Sequence, residues 1–217
     1  MLKVWGRTNS INVQKVMWTI GELGLEHTRL DVGHKHGGTD TPEHRAMHPL
    51  GRVPAMRETF DDEREDLVMF ESGAIARYLC EQYGKAPFRP EAIEDRARLD
   101  VWCELIKATI APMFAQPIFW SLLKFAPGQG GETVQAAAEA IKPHMLAIDS
   151  RIGDGPWMAG EDFTFADLWV GHLLYRYNVL NFDKAHTPNL DAYYQRLTGR
   201  PAFAEHVMVS FESLRIT

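Results

Sequence analysis

Little in this chain could serve a disulfide scaffold. Its 217 residues hold two cysteines, Cys80 and Cys103, each inside a helical pattern. Two isolated thiols cannot staple a chain of this length, so they point to a reducing compartment. No apolar run approaches the roughly 20 residues that a membrane helix needs. The chain enters Leu2-Lys3-Val4-Trp5 without the apolar stretch of a secretion signal, which leads to the expectation of a soluble, cytoplasmic protein. Positive charge is also short. A formal net charge of −6 and an isoelectric point near 5.8 leave no electrostatic footprint for nucleic acid or an anionic membrane. Internal repeats and low-complexity tracts are missing. Histidines are present as His34-x-His36 and His44-x-x-x-His48, but no cysteine completes a metal set. Pro42 and Pro49 leave little helix to hold the second pair, so no metal is expected.

What is present is enough apolar material, 45% of residues, for one large domain or two small ones. Leu2 to Trp5 reads as a short strand. Ser10-Ile11-Asn12 opens a helix in which Val13, Val16, Met17 and Ile20 recur at i, i+3, i+4 and i+7, and Gly24 closes it. A second strand falls within Glu26 to Val32, and a loop over Gly33 to Thr41. A short helix follows from Pro42 to Met47, then strands at Ala55–Thr59 and Leu67–Phe70 with an acidic hairpin tip, Asp61 to Asp66, between them. Ser72 to Tyr83 is a helix stopped by Gly84. The order β-α-β-α-β-β-α over residues 1–84 is the thioredoxin-like arrangement. Residues 85–90, with two prolines, read as a linker. From there to residue 217 strand signals vanish. Glu91 to Ala126 is one long helical pattern that Pro112 and Pro117 are expected to kink or break. A loop is expected at Pro127 to Gly131, and a helix with a kink at Pro143 from Glu132 to Ile152. Thr164 and Asp167 form a capping-box pattern, and further helices span Asn189 to Thr198 and start at Pro201.

Two stretches carry binding chemistry. Val53 precedes a proline at the start of a strand, so it is held extended with its N–H and C=O free to meet a ligand. Phe70-Glu71-Ser72-Gly73 places a carboxylate, a hydroxyl and unpaired N–H groups at a helix start, which suits an anion. Together they describe a landing for a small, extended, peptide-like molecule.

In order and spacing these features resemble the soluble glutathione S-transferase superfamily over nearly the whole chain. The N-terminal half carries Ser10-x-Asn12-x-x-Lys15-Val16, Glu22-Leu23-Gly24-Leu25, Val53-Pro54 and Glu71-Ser72-Gly73-Ala74-Ile75-x-x-Tyr78-Leu79. The C-terminal half carries Phe163-Thr164-Phe165-Ala166-Asp167 and Asn189-Leu190-x-x-Tyr193-x-x-Arg196-Leu197-x-x-Arg200-Pro201-Ala202-Phe203. The nearest flavour is that of the bacterial and theta/delta-type enzymes that use serine. The resemblance implies an N-terminal glutathione-binding domain over 1–84 and an all-helical domain over 91–217. It implies glutathione as co-substrate, a small, apolar electrophile as second substrate, and a homodimer.

Position by position, the resemblance implies that Val53 holds the cysteinyl backbone, with Pro54 cis. Glu71 takes the γ-glutamyl ammonium and Ser72 its carboxylate. The glycine carboxylate falls to Arg52 or Lys35, or to His36. Ser10 stands six residues before Val16, where serine-type relatives keep the activating hydroxyl. Asn12 and Thr8 are further donors to the thiol. The absence of cysteine and tyrosine there argues against the disulfide-reducing branches. Met113, Gln116, Pro117 and Trp120 lie where, in this family, the broken helix overhangs the glutathione sulfur as an acceptor pocket. Two positions depart from the pattern. Gly73 follows Glu-Ser where a polar or basic residue is usual, and Gly51 stands where some delta-type relatives have histidine. These departures leave two rivals to a transferase: a glutathione-binding interaction protein with little turnover, and a glutathione-dependent peroxidase or disulfide reductase.

Overall fold

A computed structural model describes residues 1–124 and 131–215. Two compact units emerge. The first comprises Met1–Gly84 with Ala202–Val209, and the second Lys85–Pro201 with Ser210–Thr217.

In the first unit β1 (Leu2–Trp5), α1 (Ile11–Glu22), β2 (His27–Leu30), α2 (Pro42–Met47), β3 (Ala55–Glu58), β4 (Leu67–Phe70) and α3 (Ser72–Tyr83) follow in the expected order. The loop after β2 tightens into a 3-10 turn at His34–His36. The strands pair as β2-β1-β3-β4. β1 runs parallel to β2 and antiparallel to β3, and β3 antiparallel to β4. The crossover through α1 forces the parallel pair, while the short hairpin permits the antiparallel one. Leu2, Val4 and Met56 from the strands meet Val13, Val16, Met17 and Ile20 of α1 and Ile75 and Leu79 of α3 in one buried cluster.

The chain returns to this unit near its end. Phe203 stacks edge-on against Trp18 at 5.0 Å. A Cβ on Gly21 of α1 would meet the Ala202 Cβ at 3.0 Å and the His206 ring at 2.9 Å. That contact explains a glycine in the last turn of α1.

The second unit is helical: α4 (Ile93–Leu105), α5 (Ala111–Phe114), α6 (Ser121–Lys124), α7 (Gly131–Ile152), α8 (Phe165–Val179), α9 (Pro188–Thr198) and the start of α10 (Pro201–His206). Pro112 and Pro117 do not break the chain between α4 and α6. The backbone widens into π-helical turns at Ile106–Ile110 and Ala115–Trp120 instead. The Ala111 N–H reaches back to the Ile106 carbonyl, so the turn before Pro112 closes over one extra residue. Inserting a residue lets the helix tolerate a proline that cannot donate. Pro143 lies inside α7, which is one helix from Gly131, so the helix starts one residue before its expected first residue. Ala126 and the loop over 127–130 lie outside the described residues.

Asp167 is the hub of this unit. It is fully buried and receives the Thr164 N–H at 2.7 Å, the Met158 N–H at 2.9 Å and the Tyr193 hydroxyl at 3.0 Å. Burial pushes its carboxyl up to about 6 against the pull of these donors. The capping box is therefore present, and it ties α8 to α9 as well as ending a loop. Among the described residues no helix is long and apolar enough to cross a membrane.

Candidate functional site

The sheet directions determine which residues can meet. β1, β2 and β4 all run toward the same edge at which β3 begins. The segments Gly33 to Thr39, Arg7 to Ser10, Val53-Pro54 and Glu71-Ser72 therefore line one end of the sheet, in the lateral order β2, β1, β3, β4. Asn12 and Ser72, 60 positions apart in sequence, are neighbours here.

At its centre the Val53–Pro54 peptide is cis, as the resemblance implied. Val53 packs on the loop after β1: a Cβ on Gly6 would lie 3.3 Å from the Val53 Cβ and 2.4 Å from the Val13 Cγ2. That crowding explains why residue 6 has no side chain. Behind Val53, the buried His44 of α2 engages the Arg52 carbonyl through Nε2 at 2.8 Å. Thr41 caps α2 by accepting the His44 N–H at 3.2 Å. Its neighbour His48 is buried against Phe70, ring centroids 4.8 Å apart, and burial lowers its basicity. The two histidines thus brace the Val53 segment. Sequence reading weighed them only as metal ligands, and among the described residues no group of three His, Cys, Asp or Glu side chains is placed to hold a metal.

On the β4 side Glu71 caps α3 with φ +70° and ψ 107°. A non-glycine residue held there costs about 1–3 kcal/mol, and such strain gathers at ligand clamps. The exposed Glu71 carboxylate does not cap its own helix. Neither α1 nor α3 carries an acidic residue in its first turn, so both positive helix ends are left for an outside anion. Ser72 is buried, and its hydroxyl donates to the Asn12 Oδ1 at 3.4 Å. That bond joins the starts of the two helices and leaves the exposed Asn12 amide NH₂ as a donor. Ser10 is the buried N-cap of α1, with φ −86° and ψ 121°, yet its hydroxyl makes no capping bond.

The β2 side carries the cations proposed for the glycine carboxylate. Lys35, His36 and Arg52 are exposed. His36 lies 3.8 Å from Asp31, which also pairs with Arg29 at 2.6 Å. Thr8 is exposed and lines a cleft of about 200 Å³ with Met17, His27, Arg29 and His206. Gly51 has φ +58°, and a Cβ there would stand 2.6 Å from the Thr39 carbonyl oxygen. A histidine at this position would be strained and would force the Thr39 backbone or its own segment to shift. Gly73 is buried within the first turn of α3. Sequence reading also passed over Arg7. Its side chain reaches Gly33, where a Cβ would meet the Arg7 Nη1 at 3.4 Å, the Thr39 Cγ2 at 3.5 Å and the Val53 Cγ1 at 3.5 Å. Its only sequence signal was a cation three residues before Ser10.

Met113, Gln116, Pro117 and Trp120 belong to the second unit, on and beside the π-helical turn Ala115–Trp120. Gln116 is exposed and the other three are half-buried, while Phe114 and Phe119 between them fill the core.

Residues 1–81 match the family described as the N-terminal domain of glutathione S-transferase, and residues 101–201 the family described as its C-terminal domain. The chain is 31% identical over 212 residues to glutathione S-transferase GstB of Escherichia coli (strain K12), covering 96% of this chain and 99% of that protein. It is 27% identical to a probable glutathione S-transferase, GSTF1, of Oryza sativa subsp. japonica, with 93% of each covered. Among solved structures, the theta class glutathione S-transferase of the citrus canker pathogen Xanthomonas axonopodis pv. citri with glutathione bound superposes with a TM-score of 0.85 at 33% identity. It covers 96% of this chain and 98% of that one.

Proposed function

The chain belongs to the glutathione S-transferase family, and we propose that it binds glutathione across the end of its four-stranded sheet and activates the thiol for attack on a small electrophile. The observation that carries this reading is the convergence of three features on one sheet edge: the cis Val53–Pro54 peptide, the Glu71 cap at positive φ and two helix starts without acidic residues. In this arrangement the Val53 N–H and C=O pair with the cysteinyl unit as an added strand would. Glu71 takes the γ-glutamyl ammonium, and Ser72 with the α3 N–H groups takes the carboxylate.

The thiol then faces the start of α1. A cysteine-type thiol has a pKa near 8.5, and each unit of lowering needs about 1.4 kcal/mol of preferential thiolate stabilisation. Ser10 supplies a hydroxyl donor and Asn12 an amide donor, with the α1 N-terminus behind them. Both donors keep their protons, and the thiol proton passes to solvent. The thiolate forms a C–S bond with the electrophilic carbon, and the leaving group departs with its electron pair. Met113, Gln116, Pro117 and Trp120 are assigned to the electrophile. By kinship the protein acts as a homodimer in the cytoplasm.

The test is conjugation of glutathione to an activated aryl halide, with the pH profile of the rate read in the wild type and in Ser10→Ala and Asn12→Ala. The profile of whichever variant loses the activating donor moves toward the free-thiol pKa, with a rate loss of about 10- to 100-fold at neutral pH. No glutathione binding and no conjugation in the wild type would overturn the reading. Retained binding with unchanged profiles in both variants would remove Ser10 and Asn12 from the mechanism.

A further inference from the structure

We propose that Arg7 holds the glycine carboxylate of glutathione and so sets the preference of this site for the tripeptide over γ-glutamylcysteine. The inference rests on the glutathione reading above and deepens it at the end of the ligand that the exposed cations served poorly.

With the γ-glutamyl end at Glu71, beside β4, and the cysteinyl unit on Val53, at the start of β3, the ligand runs across the sheet from β4 toward β2. Strands lie about 4.8 Å apart, so the end of β2 is about 10 Å beyond β3. One further residue advances the chain by about 3.5 Å. The glycine carboxylate therefore falls between β3 and the Gly33 loop, within reach of a long side chain rooted on the turn after β1.

Arg7 is that side chain. Its backbone is fixed on both sides: its N–H donates to the Val32 carbonyl at 3.1 Å, and its own carbonyl accepts the Ser10 N–H at 3.2 Å. Its guanidinium ends at Gly33, on the spot where Thr39 and Val53 also converge. The residue is half-buried, and burial lowers its basicity. Its Nε is fully enclosed without a hydrogen-bond partner, and among the described residues the guanidinium has no carboxylate or carbonyl to pair with. A cation withdrawn from water and unmatched is costly unless an anion completes it. A planar guanidinium suits a carboxylate better than a point charge does.

The neighbouring cations are otherwise placed. Arg29 is held by Asp31 and by the Gly6 carbonyl at 2.8 Å, and His36 faces the same aspartate. Lys35 and Arg52 are exposed, so they give up more side-chain freedom to bind and work in a more screened setting.

The experiment is calorimetric titration of three ligands: glutathione, γ-glutamylcysteine and glutathione esterified on its glycine. The proteins are the wild type, Arg7→Gln and Arg7→Lys. The wild type is expected to bind the dipeptide and the ester about 10- to 100-fold more weakly than glutathione. Arg7→Gln is expected to lower glutathione affinity to the level of the other two ligands while leaving theirs unchanged. Arg7→Lys is expected to recover part of the preference, and it keeps the assignment testable if the glutamine variant folds poorly. Equal binding of glutathione and its glycyl ester by the wild type would overturn the assignment without any variant. So would a preference that survives in both Arg7 variants, or a loss in Arg7→Gln that is equal for all three ligands, because the guanidinium would then act elsewhere on the molecule. Wild-type protein that binds none of the three thiols would overturn the glutathione site itself, and Arg7's role with it.

Discussion

Replacing Gly51 by alanine separates two costs that this fold combines at one residue. The first is conformational: φ is +58°, and an L-residue in the left-handed region costs about 1–2 kcal/mol. The second is steric. An alanine Cβ would stand 2.6 Å from the Thr39 backbone oxygen, closer than real Cβ atoms approach, and a carbonyl cannot swing aside like a side-chain tip. The loop or the Val53 segment has to move, at about 1–3 kcal/mol by the measure of overpacked sites. Gly24 provides the control. It has φ +63° with nothing within 4 Å of a Cβ, so Gly24→Ala meets only the first cost. Urea unfolding is expected to place Gly24→Ala about 1–2 kcal/mol below the wild type and Gly51→Ala about 2–5 kcal/mol below. Because the displaced segment holds Val53, Gly51→Ala is also expected to bind glutathione about 5- to 30-fold more weakly, equivalent to about 1–2 kcal/mol. Gly24→Ala is expected to bind it normally. If Gly51→Ala is no less stable than Gly24→Ala and binds glutathione as the wild type does, the close approach of Thr39 is not what keeps residue 51 a glycine.

Asp167→Ala removes the acceptor of four buried donors, the N–H groups of Thr164 and Met158 and the hydroxyls of Tyr193 and Thr164. At about 1–3 kcal/mol for each donor left unmatched, partly relieved by relaxation, a loss of about 3–5 kcal/mol is expected in urea unfolding, and a loss under about 1 kcal/mol would show that the hub is dispensable. In the first unit the Tyr78 and Tyr83 hydroxyls both donate to the buried Glu58. Burial first, and the Glu58 carboxylate second, push Tyr83 up to about 12 and Tyr78 higher still. The folded state then holds these protons more tightly than the unfolded chain, whose phenols ionise near pH 10. Stability from the pair is therefore complete below about pH 10 and is lost as pH rises toward 12. Burial also raises Tyr177, Tyr193 and Tyr194, so the readout is the difference between proteins: phenolate absorbance against pH should show two phenols moving downward in Glu58→Gln, and a curve identical to the wild type's would contradict the pairing.

Much of this protein follows from local pattern. Alternation and i, i+3, i+4 spacing place β1, β3, α1 and α3 close to their limits, because each sends side chains into a single buried cluster. Thr164 with Asp167 announced a helix start by chemistry that needs only four consecutive residues. Val53-Pro54 and Glu71-Ser72 announced a ligand by the groups they leave unpaired. Local pattern failed where the backbone had a cheaper option than the one a residue type suggests. Pro112 and Pro117 lead to the expectation of a kink or a break, and the helix continues past both by widening into π-helical turns.

What the sequence could not contain is distance. Gly51 looked like a missing side chain until its φ and the Thr39 oxygen showed that none fits. His44 and His48 looked like a weak metal pair, whereas one engages the Arg52 carbonyl and the other packs on Phe70. Arg7 drew no notice in a stretch of polar residues, since whether a guanidinium is paired depends on which carboxylates lie within about 4 Å, and those come from remote segments. Residue types and spacing determined that this chain has a glutathione-transferase fold, with Val53 and Glu71 each at the end of a strand facing the same edge. The strand order β2-β1-β3-β4 alone decided which side of that edge each residue serves, because lateral neighbours in a sheet are chosen by pairing and not by position along the chain.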